Sequence, residues 1–165
     1  MDYKKLSSSR YSWQRSGWGS SDSQINRHSL IHQKLTETRF FKSILDFGCN
    51  DCFFFQNYLN LYSDIEKAVG FDICKETLEK SIFNDDSFVE LEYNLKSLKI
   101  KYTEYFDVII CCGVLQIKNI KPSQIIKDIY ELLNVGGIII FSTLSLDWEG
   151  FRNPENTPNH KNKWF

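Results

Sequence analysis

The stretch Ile44-Leu45-Asp46-Phe47-Gly48-Cys49-Asn50-Asp51-Cys52 constrains this chain more than any other. A strand-like run, Ser43 to Phe47, empties into a turn at Gly48, and the apolar segment Phe53 to Tyr62 follows as a helix. Open α/β sheets build nucleotide sites in this way. The strand end opens a crevice, and the first helical turn presents N–H groups that have no partner of their own.

The rest of the chain repeats the alternation. Residues 1–22 are polar and aromatic, with Tyr3, Tyr11, Trp13 and Trp18, and read as an arm or lid. Ser21, Asp22 and Ser23 offer N-caps for a helix over 24–38, whose Ile25, Leu30, Ile31 and Leu35 form a narrow apolar stripe. After the central unit come a strand over 68–72, a helix over 75–83, and a strand over 87–93 that partly alternates and so sits near an edge. A nearly continuous apolar strand spans 106–112, broken only by Asp107. Pro122 opens a helix, Gly136-Gly137 stops it, and a fifth strand covers 138–143. Strands alternating with helices imply right-handed βαβ crossovers. The expected fold is α/β: a doubly wound, mostly parallel sheet with helices on both faces. The domain spans 23–144, and an irregular tail occupies 145–165.

Composition narrows the function classes. The net charge of −1 gives no global field for nucleic acid, which leads to an expectation of no nucleic-acid partner. Met1 to Ser20 lacks an apolar core of the secretory type, and no stretch approaches the roughly 20 apolar residues of a membrane span, so the expected setting is cytoplasmic with no membrane partner. Most of the cysteines fall in strands or at the strand-end turn and read as small buried residues in a reducing compartment. Cys49-x-x-Cys52 has no second ligand pair spaced for zinc, and no metal is expected.

In a doubly wound sheet the strand ends share one crevice. Here they deliver Asp46 and the Gly48 turn, then Asp72, then Asn94, then Cys111, Cys112 and Gly113. A carboxylate at the end of the second strand can accept two ribose hydroxyls on its two oxygens. A nicotinamide cofactor would use the same acid, so the turn has to discriminate. A pyrophosphate turn wants G-x-G-x-x-G, whereas this turn carries Asp46 and Asp51 and keeps only Gly48. Two carboxylates repel a pyrophosphate and suit a ligand bearing an ammonium and a sulfonium. A P-loop is excluded because no Gly-Lys-Ser/Thr follows.

Four segments in order resemble the class I S-adenosylmethionine (SAM)-dependent methyltransferases. Ile44 to Cys52 is similar to the first motif of that family, and Val69-Gly70-Phe71-Asp72-Ile73 to its second-strand acid motif. Phe106 to Leu115 is similar to its fourth-strand motif, and Leu132-Leu133-Asn134-Val135-Gly136-Gly137 to the lead into its fifth strand. The resemblance covers residues 43–143. It implies SAM as cofactor, with Gly48, Cys49 and Asn50 passing under the methionine part, Asp46 near its amino group and Asp72 on the ribose. It implies Asn94 and Leu95 at the adenine, Ile73 beside Asp72 in the same cofactor set, and backbone from Cys111 and Cys112. The arm corresponds to a lid over SAM, with Trp13 in the cofactor set and Arg15 toward the SAM carboxylate.

The chain departs from the family at several points. Asn50 and Cys52 replace turn glycines. Gln116-Ile117 stands where many relatives carry a histidine, so the catalytic residues are unknown. His28 and His32, one helical turn apart, are candidates for the crevice, although such a pair is more commonly solvated. The family's C-terminal antiparallel hairpin is expected to be missing, which leaves an exposed edge for a homodimer or another partner. Two functions stand at this point. One is a methyltransferase acting on a small molecule or on a carbohydrate or lipid precursor by direct displacement. The other is a catalytically inactive methyltransferase-like binding or scaffolding subunit.

Overall fold

The computed structural model describes residues 11–15, 20–38, 40–84, 86–115 and 121–142, with the side chains of residues 13 and 15 outside that set. The elements are α1 (Ser12–Arg15), α2 (Ser21–Thr36), β1 (Ser43–Phe47), α3 (Phe53–Tyr58), which runs on as a 3-10 turn (Leu59–Leu61), and β2 (Lys67–Phe71). They continue with α4 (Lys75–Leu78), β3 (Val89–Glu92), α5 (Leu95–Lys101), β4 (Phe106–Cys112), α6 (Pro122–Leu132) and β5 (Leu133–Ser142). The five strands form one sheet in the order β3-β2-β1-β4-β5, and every pair is parallel.

The doubly wound expectation holds, and side-chain alternation is the reason. Ile44, Ala68, Val108 and Ile110 face a core with Ile31 and Leu35 of α2 and Phe54 and Phe55 of α3. Their neighbours Leu45, Phe47, Val69, Ile109 and Cys111 face a second core with Leu98 of α5 and Ile129 and Leu132 of α6. Covering both faces lets β1 be buried at all five positions, as an apolar central strand requires. Each fully buried Leu, Ile or Phe contributes about 1.5–3 kcal/mol, so the two cores dominate the stability.

Several boundaries differ from expectation. Helix α2 starts earlier because its cap is Ser20, whose hydroxyl accepts from the Ser23 N–H at 3.1 Å. Helix α4 stops at Leu78, where the next bonds, Lys80 N to Thr77 O and Ser81 N to Leu78 O, are i to i−3 and tighten the chain into turns. Helix α5 was not expected at all. Its signal is the Asn94 cap, which accepts from Lys96 N and Ser97 N at 3.0 and 3.1 Å, together with Lys99 and Lys101 in the last turn.

Gly136-Gly137 does not end α6. The helix stops at Leu132, and the glycines sit inside β5, where pairing to β4 jumps from Phe106↔Leu133 to Val108↔Ile138. Gly136 has φ 80°, and a Cβ on Gly137 would lie 2.9 Å from Phe106 O. The pair therefore builds a bulge. Asp107, the one polar break in β4, accepts from Lys42 N, Ser43 N, Ser43 Oγ and Asn134 Nδ2, and so fastens the starts of β1 and β5 together. The expectations for the C-terminal hairpin and tail fall outside the described residues. No described helix is long and apolar enough to cross a membrane.

Candidate functional site

The carboxyl ends of β1, β2 and β4 converge beside the Gly48 turn. Gly48 N and Cys49 N both donate to Phe71 O, at 2.7 and 3.0 Å, which ties the turn to the end of β2. Gly48 has φ 88°, and any Cβ there would overlap Val114 Cγ2, so the position demands glycine twice over.

Asn50 and Cys52 hold left-handed backbone, with φ 56° and 60°. Asn adopts this region more readily than most residues; Cys does so at a cost. Cys52 is wholly buried, with its Sγ 3.4 Å from Cys49 Sγ. A Cβ on Gly70 would lie 2.6 Å from that Cys52 sulfur and 3.1 Å from the Cys49 sulfur. The missing glycine of the turn is thus offset by a glycine in β2. The thiol fills the strand-side space, and helix α3 still packs closely. Both cysteines are free thiols, and burial, then the neighbouring Cys52, raises the Cys49 pKa.

Three carboxylates gather here. Asp46 is 4% exposed and lies between Gly70 and Ile110 in the sheet, and its carboxylate accepts no hydrogen bond among the described residues. Burial first, then the charges of Asp72 and Asp51, pushes its pKa up to about 7. Asp72 is half-buried; its oxygens accept from Asn50 N at 2.9 Å and Cys74 N at 2.8 Å. Burial outweighs these bonds and raises its pKa too. Asp51 Oδ1 accepts from Ser12 Oγ at 2.7 Å. A buried carboxylate facing two more carboxylates favours a cation, because a positive ligand relieves desolvation and repulsion together. SAM carries an ammonium and a sulfonium, so the donor set fits it.

The structure brings Gly48, Cys49, Asn50, Asp46 and Asp72 together. Ile73 follows Asp72 and is 60% exposed, and Leu95 is half-buried at the start of α5. The Asn94 side-chain oxygen is engaged in its helix cap, which leaves the amide nitrogen for a ligand. Cys111 points into the core, and burial raises its thiol pKa. Cys112 is half-buried, and burial pushes its thiol up to about 12. Gly113 N donates to Ser142 O at 2.8 Å, closing the ends of β4 and β5. Trp13 and Arg15 lie in α1, but their side chains fall outside the described residues, as do Gln116 and Ile117.

The histidines are not a solvated pair. His28 is buried against Phe53 and Phe54, with its pKa lowered to about 4 by burial and then by Arg27. His32 stacks on Tyr58, and its Nδ1 is 2.6 Å from Tyr62 Oη. Both serve the α2–α3 contact. Sequence reasoning also missed Gly70, Val114, Ser12 and Gln24. Of these only Gly70 carried a signal, as an isolated glycine inside a buried strand.

The sequence model of the family described as "Methyltransferase domain" matches residues 45–139. A curated tRNA U34 carboxymethyltransferase of Campylobacter curvus (strain 525.92) is 28% identical over 121 residues, which is 70% of this chain and 40% of the relative. One of Helicobacter acinonychis (strain Sheeba) is 30% identical over 112 residues, 64% of this chain and 42% of the relative. The chain therefore spans about two fifths of the length of these curated relatives. Among solved structures, a SAM-dependent methyltransferase from Archaeoglobus fulgidus superposes with a TM-score of 0.60 at 14% identity, covering 84% of this chain and 61% of that one. Coclaurine N-methyltransferase bound to N-methylheliamine and SAH superposes with a TM-score of 0.56 at 15% identity, covering 73% and 35%.

These relatives overturn the expectation of a small-molecule acceptor with no nucleic acid, since their names specify a tRNA. That expectation rested on net charge and on the lack of a basic stripe or an Asn/Asp-Pro-Pro-Tyr-type motif, and neither reports on what a modification site meets. The family match spans more than half of the chain, and the sheet order, the Gly48 turn and the acid at the end of β2 agree with it. The chain belongs to the class I SAM-dependent methyltransferases.

Proposed function

We propose that this chain is the donor-binding and transfer unit of an RNA-directed methyltransferase whose acceptor is a tRNA nucleobase. The observation that supports the substrate class is the likeness to curated tRNA U34 carboxymethyltransferases over 121 and 112 residues, 70% and 64% of this chain. Bound SAM supplies an electrophilic carbon on its sulfonium. The chain's own residues bind and orient. Asp72 takes the ribose hydroxyls while its bonds to Asn50 N and Cys74 N hold it rigid. Asp46 faces the ammonium side, and Gly48, Cys49 and Asn50 pass beneath the methionine part. Ile73 and Leu95 flank the adenine, with the Asn94 amide nitrogen as a donor to a ring nitrogen. Cys111 and Cys112 contribute backbone at the far side of the crevice, and Trp13 and Arg15 complete the proposed cofactor set.

A Cys at position 52 in place of a turn glycine would favour a non-catalytic reading if its side chain crowded the cofactor. Its thiol is buried against Gly70 on the sheet side, so that objection falls away. Positioning alone supplies a large share of the acceleration in a direct displacement, and a donor crevice held this tightly provides it.

The test uses SAM labelled in its transferable methyl group. Folded protein is incubated with bulk tRNA, with an unrelated structured RNA, and with a panel of small acceptors. Label in tRNA alone, located to one nucleoside by digestion and mass measurement, is the expected result. Label only in a small acceptor overturns the substrate class.

A further inference from the structure

Helix α4 is short for the strand beside it. A parallel sheet is covered along both faces. Yet α4 makes a single turn, Lys75–Leu78, and the chain then tightens through i to i−3 bonds, with Asn84 Nδ2 donating to Glu79 O at 2.6 Å. The short helix leaves a cavity of about 420 Å³ against β3. Its floor is the outer side of the first core: Leu78 and Val89 are buried, Phe83 and Leu91 half-buried. A volume of this order, with an apolar floor and a few polar groups at the rim, is that of a small-ligand pocket, about 300–1,000 Å³.

The rim is distinct at the crevice end. Lys75 comes three residues after Asp72, and Tyr93 immediately precedes Asn94. Tyr93 is 50% exposed, and Lys75 Nζ lies 5.3 Å from the centre of its ring. Glu79 Oε1 stands 3.8 Å from that ammonium, beyond hydrogen-bond range, and Lys75 Nζ donates no hydrogen bond among the described residues. Two other acids at the cavity are already engaged. Glu90 is matched by Lys67 and Lys101, and Asp86 Oδ1 accepts from Phe88 N and Val89 N at 2.7 and 2.9 Å. An exposed ring stacks a nucleobase, an ammonium with open donors takes a phosphate, and the apolar floor shields the base from water.

We propose that the cavity between α4 and β3 binds an unpaired nucleotide of the acceptor RNA, with its base stacked on Tyr93 and its phosphate on Lys75. This rests on the RNA acceptor given under Proposed function. The subsite is separate from the proposed donor set, which uses Ile73 and Asn94 and neither Lys75 nor Tyr93. It anchors the RNA at the β3 side of the crevice mouth and touches no reacting atom.

The experiment uses the full chain and fluorescein-labelled bulk tRNA, with binding read by fluorescence anisotropy, for wild type, Tyr93→Ala, Tyr93→Phe and Lys75→Gln. Calorimetric titration of each protein with SAM, and with adenosine and uridine 5′-monophosphates, runs in parallel. Far-UV circular dichroism confirms that each variant is folded. Tyr93→Ala is expected to weaken tRNA binding about tenfold, the scale of one lost base–aromatic stack. Tyr93→Phe keeps the ring and binds as wild type does. Lys75→Gln weakens binding about threefold at low salt and lowers the slope of log affinity against log salt by about one. SAM affinity stays the same in all three. If wild type binds tRNA and Tyr93→Ala and Lys75→Gln match it, the subsite is overturned while the RNA acceptor stands. Variants that keep tRNA affinity but lose a monophosphate that wild type binds assign the cavity to a free nucleotide and overturn it too. A fall in SAM affinity parallel to that for tRNA overturns it, because Tyr93 and Lys75 would then serve the donor. A folded wild type that binds SAM but no tRNA overturns the RNA acceptor and the subsite together.

Discussion

The crevice end of the sheet and its β3 flank use the same residue type in opposite ways. On the flank, Glu90 accepts from Lys67 Nζ, Lys101 Nζ and Tyr102 Oη, at 3.1, 2.9 and 2.6 Å. Burial works against it, but those bonds win and bring its pKa to about 2. Glu92 is likewise held low by Ser97 and by the N–H groups of residues 93 and 94, against the effect of burial. At the crevice, no cation among the described residues lies beside Asp46 or Asp72, and burial drives both pKa values up. The flank is satisfied within the chain and serves stability. Among the described residues the crevice is short of positive charge, which suits a cationic ligand.

Four substitutions test this contrast, in descending order of expected effect. Asp72→Ala removes the proposed ribose acceptor and the anchor of the Asn50 and Cys74 N–H groups. SAM affinity by calorimetric titration is expected to fall about a hundredfold, since two charged hydrogen bonds at ~1.5 kcal/mol each are lost. Unchanged affinity would move the donor away from β2.

Gly70→Ala probes the strained backbone of the crevice end. The new methyl meets Cys52 Sγ, and chemical denaturation should show about 2 kcal/mol of destabilisation. Adding Cys52→Gly should recover most of it, because the clash and the left-handed Cys disappear together. A double mutant no better than Gly70→Ala breaks the claim that the two positions compensate.

Asp46→Asn tests the uncompensated charge. Folding raises the pKa of Asp46 from 3.8 to about 7, so the folded state holds a proton that the unfolded chain releases. Stability from this group is therefore full below the unfolded value and declines as pH rises towards 7. Asp46→Asn should lie close to wild type at pH 4 and melt roughly 3–6 °C higher at pH 8. Ionised Asp46 is the form that attracts a cation, so SAM affinity in wild type should rise with pH up to about 7.

Glu90→Gln is the smallest test and has the opposite sign. The folded pKa is depressed, so its contribution is present above the ordinary 4.5 and lost as pH falls towards 2. The variant should melt about 1–2 °C below wild type at pH 7, with the gap closing in acid. A gap that persisted at pH 2 would mean packing, not charge, sets the role of Glu90.

Much of this architecture could be read in the chain. The limits of β1 and β4 were legible because continuous apolar runs between turn signals admit little else, and the position of Asp72 just past β2 was legible because the apolar run stops there. Other features were not. Asn94 reads equally as a ligand and as a cap, and the cap reading announces α5. Gly136-Gly137 reads as a helix stop, whereas the bulge it makes depends on how β4 lies alongside. His28 and His32 read as a surface pair because the neighbouring Phe53, Phe54 and Tyr58 belong to a different element. The expectation of no nucleic acid, which the tRNA-named relatives contradict, leaned on net charge and on a missing basic stripe, and net charge averages over a surface and does not describe a site.

The sequence by itself determined the parallel α/β frame, the donor turn and the family. These depend on periodicity and on residue order along one strand–turn–helix unit. The tertiary structure alone decided how a turn short of glycines closes. Gly70 in the neighbouring strand makes room for Cys52, and Asn50 and Asp51 take the arm through Ser12 and Gln24. Such pairings join residues far apart in the chain, and nothing in local spacing encodes which distant side chain will fill a given space.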